Sequence, residues 1–335
     1  MKYLIEIHHG IGDVVQMTGI IETIYTKDCD AMIDLVLYSE NRSELFKNDK
    51  RVNKIFYVNL HNKCRTKLIK ALISMRKQKY DYAFFSPISN VKGTRILAKI
   101  VSAKKSVGEQ FKKNNHRYIS VLSNKNDHIV KRNNNLLLQS GFSDSVYNPI
   151  LRGIEYKGSN SLTTIGLCIG TSKPSKTWDQ TNYIYIAEQL EKIGYIVYFI
   201  GGKSEREGFP IELFKEHSEW NNFLGKTDLI ESAELLEQCS VVVGGDTGIM
   251  HIAAALDVPT ITLFSCSDPS LHAPYSDKSY VLTANISCQY CYETGGYDSC
   301  HQYRCLEGIT VEMVLEAIVG VIKNNAEINE IKYIK

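Results

Sequence analysis

Nowhere in the 335 residues does an apolar run reach the length a membrane-spanning helix needs, roughly 18 residues. The opening stretch, 1–13, carries Glu6 early and lacks both the basic n-region and the small-residue cleavage site of a secretory leader. Gly10-Ile11-Gly12 is not followed by the third glycine of a dinucleotide-binding fingerprint. No segment matches a nucleic-acid-binding module, so nucleic acid is not expected as a partner. Low complexity is absent too: hydrophobic residues make up 44% and charged residues 23%, a balance that supports ordinary packed cores. The expectation is a folded cytoplasmic protein. In that compartment its nine cysteines are expected to be free, metal-bound or buried rather than paired in disulfides.

Net charge is only +2, but it is unevenly spread. Residues 1–150 hold 25 Lys and Arg against 13 Asp and Glu; the remainder hold 14 against 24. The excess lies between Arg42 and Arg132 and includes Lys63, Arg65, Lys67, Lys70, Arg76, Lys77, Lys104, Lys105, Lys112, Lys113 and Arg117. Such a half attracts anionic partners, a phosphorylated glycan or an acidic membrane surface. The plainer reading is a solvated basic face.

The length suits two domains. Tyr3–Ile7 reads as a strand, followed by a glycine turn and a helix from Val14. Further strands are expected over Ile33–Tyr38, Lys54–Val58 and Tyr82–Phe85, with helices over Lys67–Lys77 and Thr94–Val101. Asn148–Leu162, with Pro, Gly and Ser and little periodicity, is the expected linker. The alternation then restarts. Strands are expected over Thr164–Ile169, Tyr195–Ile200, Ser240–Val243 and Thr260–Phe264. Helices are expected over Tyr183–Ile193, Leu229–Gln238, Gly248–Leu256 and Thr310–Ile322. The fold class is therefore α/β, with two mostly parallel sheets over 1–155 and 160–309 and a C-terminal helix and tail over 310–335. Two such domains leave a cleft, and ligands are expected beyond the carboxyl ends of the strands.

Three segments carry chemistry. Val241–Val243 runs into Gly244-Gly245, then Asp246-Thr247-Gly248 and a helix bearing His251. A helix start of this kind offers free amides and a positive dipole end to an anion, and the glycines allow a close approach to the backbone. The plainer reading makes Asp246 and Thr247 helix caps and His251 a satisfied buried histidine. Gly170–Trp178 follows the first strand of the second domain. Its lysines and hydroxyls suit a diphosphate, through Thr171, Ser172 and above all Lys176, with Trp178 anchoring the loop. Gly10–Asp13 places a carboxylate after the first strand; Asp13 can act as a general base or serve only as a cap.

Together these segments resemble glycosyltransferase family 9, the bacterial heptosyltransferases. The resemblance is carried by Gly10–Asp13, Lys176-Thr177-Trp178, Gly201-Gly202 with Glu205, Gly225-Lys226-Thr227, Asp246-Thr247-Gly248-Ile249-Met250-His251-Ile252-Ala253-Ala254, Pro259-Thr260 and Asp268-Pro269. About 40–150 shows no matching motif. The resemblance implies a GT-B fold of two Rossmann-like domains facing a cleft. It also implies inverting transfer from a nucleotide-sugar donor, typically ADP-heptose, without a catalytic metal. Asp13 would be the base. Lys176, Thr171, Ser172, Gly201, Gly202, Asp246, Thr247 and Gly248 would bind the donor, with His251 supporting that loop. Two departures stand out: His8-His9 near the first turn, and Phe264-Ser265-Cys266-Ser267 where the family more often has Phe-Gly-Pro-Thr.

Cys288, Cys291, Cys300 and Cys305 fall within eighteen residues, a spacing that can enclose a tetrahedral structural zinc or iron, with His301 as a substitute ligand. The resemblance adds that some related protein heptosyltransferases hold iron in such a loop. The expected function is transfer of heptose or a related sugar to a lipopolysaccharide-core or other surface glycan, with peripheral contact at the inner membrane. A protein or capsular acceptor is the close alternative. Readings of another class are a non-catalytic nucleotide-sugar-binding protein and a metal-dependent redox or sensor module.

Overall fold

Valine- and isoleucine-rich runs buried on both faces become parallel strands, because helices cover either side and no polar face is left to expose. Met32–Leu37, Thr164–Cys168, Val241–Gly245 and Thr260–Phe264 are of this kind, buried along nearly their whole length. The computed structural model describes residues 1–8, 10–58, 65–112, 114–154, 164–171, 173–292, 294–300, 302–323 and 332–334. Expectations placed on His9, Lys63, Cys64, Lys113, Ser172 and His301, and on 155–162 of the linker, lie outside the described residues. The chain divides into two units, Met1–Gly153 and Ile154–Lys335.

The first unit runs β1 (Lys2–Glu6), α1 (Ile11–Gln16), α2 (Thr18–Lys27), β2 (Met32–Leu37), β3 (Val52–Tyr57), α3 (Arg65–Gln78), β4 (Tyr82–Phe85), α4 (Val91–Val101), β5 (Lys105–Gly108), β6 (Tyr118–Ser120) and α5 (Ile129–Leu138). Its strands are all parallel, in the order β3-β2-β1-β4-β5-β6. The helix expected from Val14 breaks at Met17. Beyond the break Gly19 is needed, since a Cβ there would stand 2.3 Å from the Tyr147 carbonyl oxygen. That close approach lets the end of the unit lie along α2. The Tyr147 and Ile150 N–H groups donate to the hydroxyls of Thr23 and Thr18 at 3.0 and 2.9 Å. The first residues of the expected linker are thus fastened to the first unit.

The second unit repeats the plan: β7 (Thr164–Cys168), α6 (Gln180–Lys192), β8 (Ile196–Ile200), α7 (Lys203–Gly208), β9 (Trp220–Asn222), α8 (Leu229–Leu236), β10 (Val241–Gly245), α9 (Gly248–Ala255), β11 (Thr260–Phe264), α10 (Pro269–His272), β12 (Ser279–Thr283), α11 (Arg304–Glu307), α12 (Val311–Lys323) and β13 (Lys332–Ile334). The order is β13-β12-β11-β10-β7-β8-β9, again all parallel. Read from β9, it is the first unit's order with one strand added. Both are the doubly wound nucleotide-binding topology, with the switch point between the first and fourth strands. α6 ends at Gly194, whose φ of +87° suits glycine; Tyr195 N–H bonds back to the Leu190 carbonyl at 3.0 Å. α12 closes the core with Val314, Ala317, Ile318 and Val321 buried.

One buried charge network matters for the stability of the first unit. Arg51 contacts Asp49 through Nε at 2.9 Å and through Nη2 at 2.5 Å, and Glu22 through Nη1 at 2.6 Å. Arg152 also reaches Glu22 at 2.8 Å. Burial by itself would raise the Glu22 carboxyl, but the hydrogen bonds from Arg152 and Arg51 hold it below its ordinary 4.5. A depressed carboxylate stabilises the fold above its unfolded pKa and loses that contribution as pH falls. We expect Arg51→Met to cost about 3–5 kcal/mol at neutral pH, because two buried carboxylates lose their partner. Urea titrations from pH 7 down to 3 should show the variant losing less on acidification than the wild type. A cost under about 1 kcal/mol would contradict the network's role.

Candidate active site

The switch point of the second sheet lies between β7 and β10, which pair directly from Val241–Ile165 to Gly244–Cys168. Chain leaving β7 continues towards β8, and chain leaving β10 towards β11, so the two loops part and leave a crevice at the carboxyl end. The loop after β7 carries a short 3₁₀ turn, Pro174–Lys176, and is anchored by Trp178. That indole is buried, packs edge-on against Tyr183 at 5.0 Å and donates to the Ile309 carbonyl at 3.1 Å.

The anchored loop crosses β10 closely. A Cβ on Gly245 would stand 2.8 Å from the Lys176 carbonyl oxygen and 3.0 Å from the Thr171 methyl; one on Gly244 would stand 2.8 Å from the Cys168 carbonyl oxygen. This corrects the expectation that these glycines admit a ligand: the space beside them is filled by the protein's own β7 strand and loop.

What that crossing brings together is Lys176 and Asp246. The Lys176 ammonium contacts Asp246 Oδ2, and both side chains are largely buried. Ser267, in the loop after β11, donates to the same oxygen at 2.5 Å. Burial would raise the Asp246 carboxyl, but the adjacent Lys176 charge, its hydrogen bond and the Ser267 hydroxyl hold it below the usual range. Asp246 is therefore an ion-pair partner rather than the helix cap of the plainer reading. Thr247 holds the N-cap position of α9 yet makes no side-chain cap bond, and its Oγ1 has no partner among the described residues. The helix thus begins beside a cation, with no cap bond from the Thr247 side chain among the described residues, an arrangement compatible with an anion at its start.

His251 is buried one turn into α9, and burial pushes its pKa down to about 4. Asp246 opposes that shift, while His272 and Lys176 add to it. The ring is neutral at physiological pH.

The other expected residues are placed as follows. The Thr171 hydroxyl donates to the Lys173 carbonyl at 2.9 Å and contacts Thr177, so it ties the loop to itself. Gly201 and Gly202 pack round Glu205, whose carboxylate accepts the Gly202 N–H at 2.8 Å; a Cβ on Gly202 would meet it at 2.9 Å. In the first unit, Asp13 sits in the first turn of α1 and accepts the Gly10 N–H at 2.6 Å. Sequence reasoning marked Phe264–Ser267 as a departure from the family pattern but gave Ser267 no role.

Cys288, Cys291, Cys300 and Cys305, joined by Cys266, line a cavity of about 180 Å³. Cys288 is exposed and Cys305 buried, and among the described residues no three His, Cys, Asp or Glu side chains are placed to hold a metal ion. Burial pushes the Cys305 thiol up to about 11, which keeps it protonated.

A neutral buried His251 has a measurable consequence. Its folded pKa of about 4 lies below the ordinary 6.5, so it favours the fold fully above pH 6.5 and loses that contribution as pH falls towards 4. We expect His251→Gln to flatten the decline in stability across that window, which for the wild type is on the order of 3 kcal/mol. NMR titration should show the imidazole uncharged at pH 5.5; a charged ring there would refute this placement.

A family model described as glycosyltransferase family 9 (heptosyltransferase) matches residues 74–299, more than half of the chain. Lipooligosaccharide heptosyltransferase 2 of Haemophilus influenzae is 35% identical over 166 residues, 46% of each chain. The corresponding Campylobacter jejuni protein is 24% identical over 349 aligned positions, 97% of this chain and 99% of its own. The chain spans about half the length or less of the relatives it matches at 30% identity or more. In fold, it is similar to the solved structure of the E. coli ADP-heptose LPS heptosyltransferase II, with a TM-score of 0.75 at 22% identity, covering 98% of this chain and 100% of that one. The α/β fold class read from the sequence, GT-B with two Rossmann-like domains, is the one shared with that structure. With the family model matching across both units, the chain belongs to glycosyltransferase family 9.

Proposed function

We propose that the chain transfers heptose from ADP-heptose, with inversion at the anomeric carbon, to an anionic acceptor of the lipopolysaccharide core. The observation that carries this reading is the Lys176–Asp246 pair beside the uncapped start of α9, at the switch point of a family 9 chain. A diphosphate placed there meets an ammonium group and a helix N-terminus, the charge arrangement that a departing nucleotide diphosphate needs. Thr171, Ser172, Thr247 and Gly248 would contribute to the same donor site, and Gly201 and Gly202 its neighbouring wall.

In the reaction, the acceptor hydroxyl gives its proton to the Asp13 carboxylate as its oxygen forms the new bond to the anomeric carbon. The bond from that carbon to the diphosphate breaks on the opposite face, and the leaving electron pair goes out on the nucleotide diphosphate. Lys176 and α9 offset that charge. The basic excess of residues 1–150 suits a phosphorylated acceptor. Among the described residues no helix is long and apolar enough to cross a membrane, so approach to a lipid-borne acceptor would be peripheral, at the cytoplasmic face.

Calorimetry with ADP-heptose beside UDP-, GDP- and CDP-sugars tests the donor. We expect ADP-heptose to be preferred and Lys176→Ala to weaken it about ten- to a hundredfold. Asp13→Asn should leave donor affinity unchanged and cut turnover about 10²- to 10⁴-fold; full turnover would remove Asp13 as base. Failure of every nucleotide sugar to bind would overturn the enzyme reading.

A further inference from the structure

Two aromatic rings from the cysteine-rich loop stand against the lysines of the β7 loop. Lys173 Nζ donates to the Tyr297 hydroxyl at 2.9 Å and lies 4.9 Å from the centre of the Tyr292 ring. Lys176 Nζ lies 4.8 Å from the centre of that same Tyr292 ring. Tyr292 and Tyr297 are stacked, centroids 4.7 Å apart, and His272 meets Tyr292 edge-on at 6.4 Å.

Resting on the proposed donor reading, we propose that Lys173 is a second contact for the donor diphosphate, and that Tyr292 and Tyr297 are positioning residues that hold Lys173 and Lys176 together for it.

Two ammonium groups gathered on one ring repel each other. A ring face attracts each of them and so offsets part of that repulsion. A ligand with two adjacent phosphates offsets it more fully, through charge-assisted hydrogen bonds to both. The arrangement also limits the entropy lost when two long, flexible side chains are fixed by a ligand, since they are already held.

The backbone beneath is fixed as well. Ser175, between the two lysines, is buried, and its carbonyl accepts the Ser265 hydroxyl at 2.6 Å. Tyr292 N–H donates to the Cys266 carbonyl at 2.9 Å. The loop bearing Ser265, Cys266 and Ser267 therefore ties the tyrosines, the lysine turn and Asp246 into one assembly, at the carboxyl end of β7, β10 and β11.

The test is calorimetric binding of ADP and AMP to the full-length protein, comparing wild type with Lys173→Ala, Tyr292→Leu, Tyr292→Phe and Tyr297→Phe. Thermal denaturation checks that each variant folds. Lys173→Ala and Tyr292→Leu should weaken ADP about fivefold or more, with a clearly smaller effect on AMP. Tyr292→Phe keeps the ring face and should bind ADP within about twofold of wild type. Tyr297→Phe, which loses only the hydroxyl, should fall between. The double variant Lys173→Ala/Tyr292→Leu should lose less than the product of the two single losses, since Tyr292 acts in part through the Lys173 ammonium group. The inference is overturned if Lys173→Ala and Tyr292→Leu bind ADP like wild type, or if ADP and AMP weaken equally, as a general loss of packing would make them. If wild type binds neither ADP nor inorganic pyrophosphate, the donor reading itself fails. If wild type binds and the variants match it, only the inference fails.

Discussion

A buried ammonium–carboxylate pair at the carboxyl end of the second sheet is the constraint that shapes the loops around it. Removing Lys176 and Asp246 from water costs more than their attraction returns unless further hydrogen bonds and close packing support them. Ser267 supplies one such bond. Close packing requires the β7 loop to cross β10 with its carbonyl oxygen where a side chain would stand, so Gly245 has to be glycine. It also requires the loop to stay in place, which Trp178 ensures by filling the core with its ring and bonding through its indole N–H. Because Asp246 is committed to Lys176, it does not cap α9. The Thr247 side chain does not cap the helix start either.

The first unit has the same strand order and a different division of labour. One group of its buried charges lies away from the switch point, in the Arg51 network that joins α2 to the segment before β3. Where the second unit places an ion pair, the first places a short turn, Gly10 to Asp13, whose carboxylate steadies the start of α1. Glu6, buried at the end of β1, accepts the Tyr38 hydroxyl at 2.5 Å. One topology thus presents a buried ion pair in one copy and a carboxylate on a turn in the other. Sites differ while the scaffold repeats.

Much of that scaffold could be read from the residues. Tyr82–Phe85 and Thr260–Phe264 form strands with the expected bounds, since each is a short apolar run closed by turn residues. β5, β6, β9 and β12 were not legible. The first three are only three or four residues long and partly polar, and tertiary pairing decides such segments. α5 holds three consecutive asparagines, weak helix formers, and is held by its buried Leu136 and Leu137. In the site, Lys176 and Asp246 each stood out within a local motif. Their contact spans 70 residues of sequence and depends on a strand order that periodicity does not reveal. The glycines were misread for the same reason: a sequence shows that a backbone is open to close approach, without showing what approaches.

The cysteine-rich loop brings these lessons together. Its spacing suggests a metal cage, yet the fold sets its thiols around a cavity and uses the loop's rings elsewhere. Tyr297 both lines that cavity and holds Lys173; Ser175, another lining residue, sits between the two lysines and meets the Cys266 thiol at 3.7 Å. A protonated cysteine packs as a small, polarisable apolar group. Beside that cavity Ser175 is buried and Tyr297 half-buried, with the Tyr297 hydroxyl accepting from Lys173. The loop's two stacked tyrosine rings stand against Lys173 and Lys176, and its thiols line the cavity behind Tyr297.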